Sequence, residues 1–216
     1  DTMKNRHRAS QSGMSLLELS VSLAIGAVVV LLALRQQTET LRQTHMDNES
    51  KWVVAVMRDI AGQMTSGYAK LSNLTLGAIR SVPPAYITQN VGSTTVVNGY
   101  GGQVTVAPLS LADTNNAYAL TYTNIPQESC AQMVVLFNQA AKAISAPIFG
   151  IVGKQGGNGP DLSHIGLDAA KNIRTDDGQV LKPSADAGLA MDKVATFCQS
   201  GSVADGQPRV LTLIRY

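Results

Sequence analysis

The N-terminal part of the chain is a long apolar run interrupted by one charge. Between Gly13 and Arg35 the single charged side chain is Glu18. At about 1.5 Å per residue, a helix over residues 14–34 is roughly 30 Å long, which matches the hydrocarbon thickness of a bilayer. An uncompensated carboxylate there costs about 3 kcal/mol, so Glu18 is expected to have a partner. The pattern predicts a membrane-spanning helix with a functional carboxylate near its start.

The same helix is predicted to continue beyond the apolar run. No proline precedes Pro83, so nothing interrupts a helix over residues 35–67. Its first part is polar, and its second part carries apolar residues at the spacing of one buried helix face. These residues are Val53, Val56, Met57, Ile60 and Met64. Gly62 and Gly67 indicate where this amphipathic helix ends.

The remaining residues, 68–216, are long enough for one globular domain. Turn-forming residues dominate Leu71–Ser110, and we expect a loop with minor elements followed by strands. Gln103–Val106 and Ala117–Thr123 have the β-branched and aromatic content of paired strands. Asp113–Asn116 is predicted to form the turn between them.

Two helices and a final strand are predicted in the second half of this domain. Pro126 and Glu128 suit the first turn of a helix, and a second helix is expected to begin near Ser184. Residues 208–216 are nearly continuous in β-forming residues and predict a strand inside the sheet. The buried helix faces are predicted to hold Cys130, Val134, Phe137, Ala141 and Ile144, then Met191, Val194, Ala195 and Cys198.

Taken together, these elements predict an α+β fold. A long N-terminal helix, half membrane-spanning and half amphipathic, is expected to pack on a mainly antiparallel sheet. The pattern contains no internal repeat that would favour a solenoid.

The charge balance removes one class of partner. Lys and Arg number 17 against 15 Asp and Glu, and residues 1–13 hold three of the former and one of the latter. The rest of the chain is therefore neutral. Nucleic-acid binding relies on clustered basic residues, so we expect no nucleic-acid partner.

Enzyme and metal motifs are weak throughout the chain. The Gly-Lys pair in Gly150–Gln155 lacks the hydroxyl residue and glycine spacing of a phosphate-binding loop, and Gly153–Gly159 is interpreted as a flexible surface loop. The histidines are scattered, without the spacing of metal ligands. Asp176 and Asp177 are expected in a solvated turn. We therefore predict no catalytic residue, no cofactor and no metal site.

The predicted orientation in the membrane determines whether the two cysteines lie in an oxidising compartment. Three basic residues precede the apolar run, and positive charge is expected to stay in the cytoplasm, which places everything after Leu34 on the far side of the membrane, in an exported and oxidising compartment. Two cysteines in that oxidising compartment favour a Cys130–Cys198 disulfide, with two buried free thiols as the alternative. Closing a loop of roughly 70 residues would stabilise the fold by about 4 kcal/mol.

The hexapeptide Gly13–Glu18, Gly-Met-Ser-Leu-Leu-Glu, resembles the processing site of type IV prepilins, and its methionine resembles the type IVb branch. The resemblance implies that the leader, residues 1–13, is cut off after Gly13 by a prepilin peptidase. Met14 then becomes the methylated N-terminus, and Glu18 the fifth mature residue.

The later part of the sequence is also similar to bundle-forming and toxin-coregulated pilins. A Gly101–Gly102 turn, the strands that follow it and the cysteine positions carry this similarity. It implies a pilin fold with one disulfide. It also implies that residues 130–198, bounded by the cysteines, are the partner-facing part of the filament surface. The stretch from about Ile148 to Lys182 matches nothing in that family.

The chemistry of Glu18 supports the resemblance to type IV prepilins. Cleavage would create an α-amine with a pKa near 8, and opposite charges in an apolar environment relieve each other's burial cost. Met14 and Glu18 can meet within one helix, or between helices, where the pairing would set their stagger. A tolerated carboxylate that reaches the interface is the alternative. Gly26 either allows close helix packing or marks local unwinding on assembly.

The expected function is that of a structural subunit of a type IVb pilus used for adhesion, aggregation or conjugation. The resemblance implies a helical homo-oligomer, assembled with an ATPase, a platform protein and an outer-membrane secretin. The precursor would lie in the inner membrane and the filament outside the cell. A minor pilin or secretion-system pseudopilin shares the N-terminal features. A single-pass periplasmic binding or adhesin protein that never polymerises is the alternative of another class.

Overall fold

The structure is a computed structural model that describes residues 16–65, 76, 79–90, 93–111, 114–143, 148–199 and 207–215. Gly13, Met14, Gly67 and Ile144 lie outside the described residues, as does the predicted leader. The chain divides into two compact units, Asp1–Gln43 and Thr44–Tyr216. We call the second unit the head.

Helix α1, Leu16–Thr65, is a single helix of 50 residues. It runs through Gly26 without interruption, and its last described residue, Thr65, lies between Gly62 and Gly67. Within the head, the predicted buried face is confirmed for four of its five residues, because Val53, Val56, Met57 and Ile60 are all buried. The face packs there because residues at i, i+3, i+4 and i+7 share one side of a helix.

Seven strands form one antiparallel sheet in the order β1-β2-β3-β4-β9-β5-β8, and two short strands pair separately. The large sheet contains β1 (Ile87–Asn90), β2 (Ser93–Val97), β3 (Gln103–Leu111), β4 (Thr114–Ile125), β5 (Gly150–Gln155), β8 (Gln179–Lys182) and β9 (Arg209–Arg215). The small sheet contains β6 (Gly166–Leu167) and β7 (Ile173–Arg174). The C-terminal strand β9 lies between β4 and β5, which confirms the prediction of an interior strand.

Two local predictions about this sheet were wrong. Thr114–Asn116 belong to β4 rather than to the predicted turn, because β4 begins at Thr114, which pairs with Leu111. Gly153 belongs to β5 rather than to a flexible loop. The minor elements expected before the longer strands include the β1–β2 hairpin.

The two remaining helices are α2, Gln127–Ala143, and α3, Met191–Gln199. Helix α2 begins where Pro126 predicts. Helix α3 begins seven residues after Ser184, because the preceding segment returns to the sheet: the Ala190 N–H donates to the Leu181 carbonyl at 2.9 Å.

The predicted buried face of α3 was partly wrong. Val194 and Cys198 are buried, whereas Met191 is 54% exposed and Ala195 is half-buried. Phe197 lies on the buried face instead, because it follows Val194 by three positions and residues at i and i+3 share one side of a helix. Late helix initiation leaves Met191 in the first turn, at the edge of the packed surface.

The two faces of the sheet are covered by different parts of the head. One face packs against α1, α2 and α3 through side chains such as Tyr118, Leu120 and Leu213. The opposite face carries a smaller apolar cluster in which Leu109, Val152 and Ile214 pack with Ile165 and Ile173. Successive side chains along a strand point to opposite faces of the sheet, so the same strands contribute residues to both apolar clusters.

Candidate functional site: the apolar helix and the cystine-bounded surface

The first half of α1 exposes a continuous apolar surface. Leu16 is 87% exposed, Leu23 67% and Leu31 61%, and their apolar neighbours from Leu19 to Leu34 are similarly exposed. The helix is long and apolar enough to cross a membrane. So much exposed apolar surface requires lipid or other helices around it.

Glu18 lies in the first turn of α1, within this surface. Its side chain is exposed, and its backbone carbonyl accepts a hydrogen bond from the Ser22 hydroxyl at 2.8 Å. A carboxylate in a first turn also interacts favourably with the helix dipole. The expected partner, the α-amine of Met14, lies outside the described residues, so pairing of the two remains a prediction.

The head contains a disulfide between Cys130 of α2 and Cys198 of α3. Both cysteines are buried, their Cα atoms are 5.6 Å apart, and 68 positions separate them in the sequence. The bridge therefore joins helix α2 directly to helix α3. The prediction of one disulfide is confirmed, and the alternative of two free thiols is excluded.

Residues between the cysteines form a network of charges on the head. His164 Nδ1 lies 2.6 Å from Asp176 Oδ1, and Lys154 Nζ lies 2.8 Å from Asp177 Oδ1. Asp177 also accepts the Asp161 N–H at 2.7 Å. Asp176 and Asp177 lie between β7 and β8 with Asp176 exposed, as expected of a solvated turn, and both side chains are also hydrogen-bonded.

These contacts shift the pKa values of the groups. The hydrogen bond that His164 donates to Asp176 raises the pKa of His164, and the Asp161 N–H together with Lys154 lowers the pKa of Asp177. His164, Ser163, Arg174 and Asp176 line a cleft of about 500 Å³. Within the described residues, no group of three or more His, Cys, Asp or Glu side chains could hold a metal ion.

Besides the buried Lys182 and Arg209, sequence reasoning missed another buried charged residue, Glu49 of α1. It is fully buried, and its side chain contacts Trp52, Gly99 and Tyr122. A signal was available, because Glu49 precedes Val53 by four positions and Val56 by seven. The carboxylate therefore lies on the same helix face as the apolar residues.

Comparison with known proteins finds two matching family models. Residues 43–151 match the model described as PilS N terminal, and residues 8–34 match the prokaryotic N-terminal methylation motif. The second match contains the whole hexapeptide Gly13–Glu18. No curated protein sequence matches the chain.

Among solved structures, the chain is similar to the type IVb pilin of Salmonella typhi, with 18% sequence identity and a TM-score of 0.48. That match covers 79% of this chain and 97% of the pilin. A second similar structure is TcpA, a type IV pilin from the Vibrio cholerae El Tor biotype, with 16% identity and a TM-score of 0.46. It covers 80% of this chain and 99% of TcpA.

Proposed function

We propose, from the premise that the chain belongs to the family described as PilS N terminal, that it is the structural subunit of a type IVb pilus. The observation that carries this proposal is Glu18, the one charged side chain in the exposed apolar half of α1, inside a matched N-terminal methylation motif. The function is mechanical: the helices form the core of a filament, and the heads form its outside.

Processing prepares the subunit for assembly. A prepilin peptidase of the inner membrane cuts after Gly13, removes the basic leader and methylates the amine of Met14. The motif match over residues 8–34 supports this step. The new amine carries the positive charge that the apolar segment otherwise lacks between Gly13 and Arg35.

Glu18 then selects the position of each incoming subunit. A carboxylate in an apolar environment is stabilised most by an opposite charge at contact distance. The N-terminal amine of a neighbouring subunit supplies that charge, and the pairing sets the axial stagger of the two helices. The exposed leucines and valines of α1 exchange lipid contacts for helix contacts, so their transfer does not pass through water.

This assembly route determines in which compartment the subunit lies at each stage. Before assembly, the subunit lies in the inner membrane with its head in the periplasm, where the Cys130–Cys198 disulfide is stable. An assembly ATPase, a platform protein and an outer-membrane secretin then extend the filament outside the cell. Adhesion, aggregation or conjugation are its uses.

The decisive test compares Glu18→Ala with Ser20→Ala, an uncharged change two positions away in the same exposed apolar segment. We expect the Glu18→Ala subunit to be processed, to keep its disulfide and to remain in the membrane, whereas Ser20→Ala forms filaments. Electron microscopy of cells and N-terminal sequencing of sheared material measure both steps. Normal filaments from Glu18→Ala, or filaments that still begin with the basic leader, would overturn the proposal.

A further inference from the structure

Glu49 is a carboxylate at the centre of the head. It is fully buried on α1, where Oε1 accepts the Gly99 N–H at 2.7 Å and Oε2 accepts the Trp52 indole N–H at 2.7 Å. The Tyr122 hydroxyl also bonds to Oε2. Acidic side chains are almost never fully buried unless such partners are present.

The groups around Glu49 come from four parts of the head. His45 and Trp52 belong to α1, Gly99 to the turn after β2, and Tyr122 to β4. The fourth part is the 3-10 helix Pro84–Tyr86, whose Tyr86 also hydrogen-bonds to Glu49 and faces Tyr100. Within the described part of the chain, no lysine or arginine forms an ion pair with Glu49. One carboxyl group thus connects the helix to the sheet, the turn and the 3-10 helix.

The partners allow Glu49 to be satisfied with or without a proton. N–H groups only donate, so Trp52 and Gly99 require lone pairs on the carboxyl oxygens. The Tyr122 hydroxyl both donates and accepts, so it can receive a hydrogen bond from a protonated Glu49. Binding of a proton therefore reverses one hydrogen bond and breaks none.

Burial and the hydrogen bonds act in opposite directions on the pKa of Glu49. Burial raises this pKa, while the bonds from Trp52, Gly99 and Tyr86 act to lower it. Burial of the Tyr86 hydroxyl, together with the nearby Glu49 charge, raises the pKa of Tyr86 to about 12. Tyr86 therefore stays a neutral donor at physiological pH.

We infer that Glu49 is a proton-binding site of the folded head, where a bound proton reverses the hydrogen bond that joins α1 to Tyr122 of β4. The folded state holds this proton to a higher pH than the unfolded chain does. The stabilisation is therefore fully present below the pKa of the unfolded carboxyl and is lost as pH rises through the folded pKa.

Trp52 makes the inference directly measurable, because it is the single tryptophan of the chain and its indole N–H donates to Glu49. Tryptophan fluorescence of the full chain in detergent micelles, recorded from pH 4 to 9, should follow one proton with a midpoint above the ordinary glutamate value of 4.5. Glu49→Gln should lose this transition.

Two further variants make the test specific. Asp47→Asn changes an exposed carboxylate that pairs with Lys51 at 2.5 Å, so the transition should be unchanged. Tyr86→Phe removes a hydrogen bond that favours the ionised carboxylate and keeps a ring to stack on Trp52, 5.5 Å away between centroids. We expect its midpoint to shift upward.

A flat fluorescence curve for the wild-type protein, a midpoint at or below 4.5, or a transition that persists in Glu49→Gln would overturn the inference. If Glu49→Gln does not fold, Tyr86→Phe decides: an upward shift supports the site, and an unchanged midpoint contradicts it. None of these measurements depends on filament formation, so the pilus proposal and this inference fail separately.

Discussion

Lys182 donates a hydrogen bond from its buried Nζ to Asn138 Oδ1 at 3.0 Å, which joins strand β8 to helix α2. Lys182 is 1% exposed, and burial, with the charge of Lys142 nearby, lowers the pKa of its ammonium group. Strand β8 is at one edge of the sheet and pairs with β5 on its inner side, so this contact attaches the sheet edge to α2.

Removal of the hydrogen-bond acceptor Asn138 alone should destabilise the head. We expect Asn138→Leu to lower the free energy of unfolding by about 2 kcal/mol, because it leaves a buried donor without its partner. Lys182→Met combined with Asn138→Leu should recover most of this loss, since both polar groups are then gone. Urea unfolding measures both, with the exposed Lys193→Met as control. Equal losses in the single and double variants would contradict the prediction.

Gly153 of β5 should tolerate no side chain. A Cβ at this position would lie 2.7 Å from the Phe197 ring of α3, so Gly153→Val forces the helix away from the sheet. We expect a loss of about 1 to 3 kcal/mol, typical of overpacking. Gly157→Ala is the control, because nothing lies within 4 Å of its Cβ position. Thermal unfolding of the two variants compares them, and similar melting temperatures would refute the close packing.

The disulfide should contribute strongly to the head. Replacement of both Cys130 and Cys198 with alanine removes a cross-link between positions 68 residues apart. In the chain-entropy model, the freed unfolded chain lowers the free energy of unfolding by about 4 kcal/mol. Urea unfolding of the double variant and of the reduced wild-type protein should give the same loss. If the oxidised and reduced proteins unfold at the same urea concentration, the bridge has no such role.

His164 should titrate above its ordinary pKa of 6.5, because it hydrogen-bonds to Asp176. NMR titration of its imidazole C–H signals measures this directly. Asp176→Asn should move the midpoint down, whereas the exposed Asp186→Asn should not. The contact stabilises the head fully below the unfolded pKa and less as pH rises through the folded value. A midpoint unchanged in Asp176→Asn would show that another group controls His164.

The most predictable features of this protein depended on local pattern. Val53, Val56, Met57 and Ile60 share a face because helical geometry places them there, and the structure buries all four. The start of α2 after Pro126 and the interior position of β9 follow from equally local signals. Short strands were less predictable, because β1 and β2 have few residues and are held by pairing with neighbours.

Other features required the whole fold. Met191 was expected inside, but the return of the chain at Ala190 to Leu181 delays α3 and leaves Met191 exposed. Asp176 and Asp177 acquired partners in His164 and Lys154, which are 12 and 23 positions away. Spacing in sequence contains no information about such contacts when no periodic element connects the residues.

The sequence by itself determined the apolar helix with its single carboxylate, the pilin resemblance and the long N-terminal helix, because each is a property of consecutive or periodically spaced residues. Only the tertiary structure decided which polar groups are buried together. Glu49 meets Gly99 and Tyr122 across 50 and 73 positions, and Lys182 meets Asn138 across 44. The physical reason is that burial and electrostatics depend on distance in space, which chain folding, and not local pattern, sets.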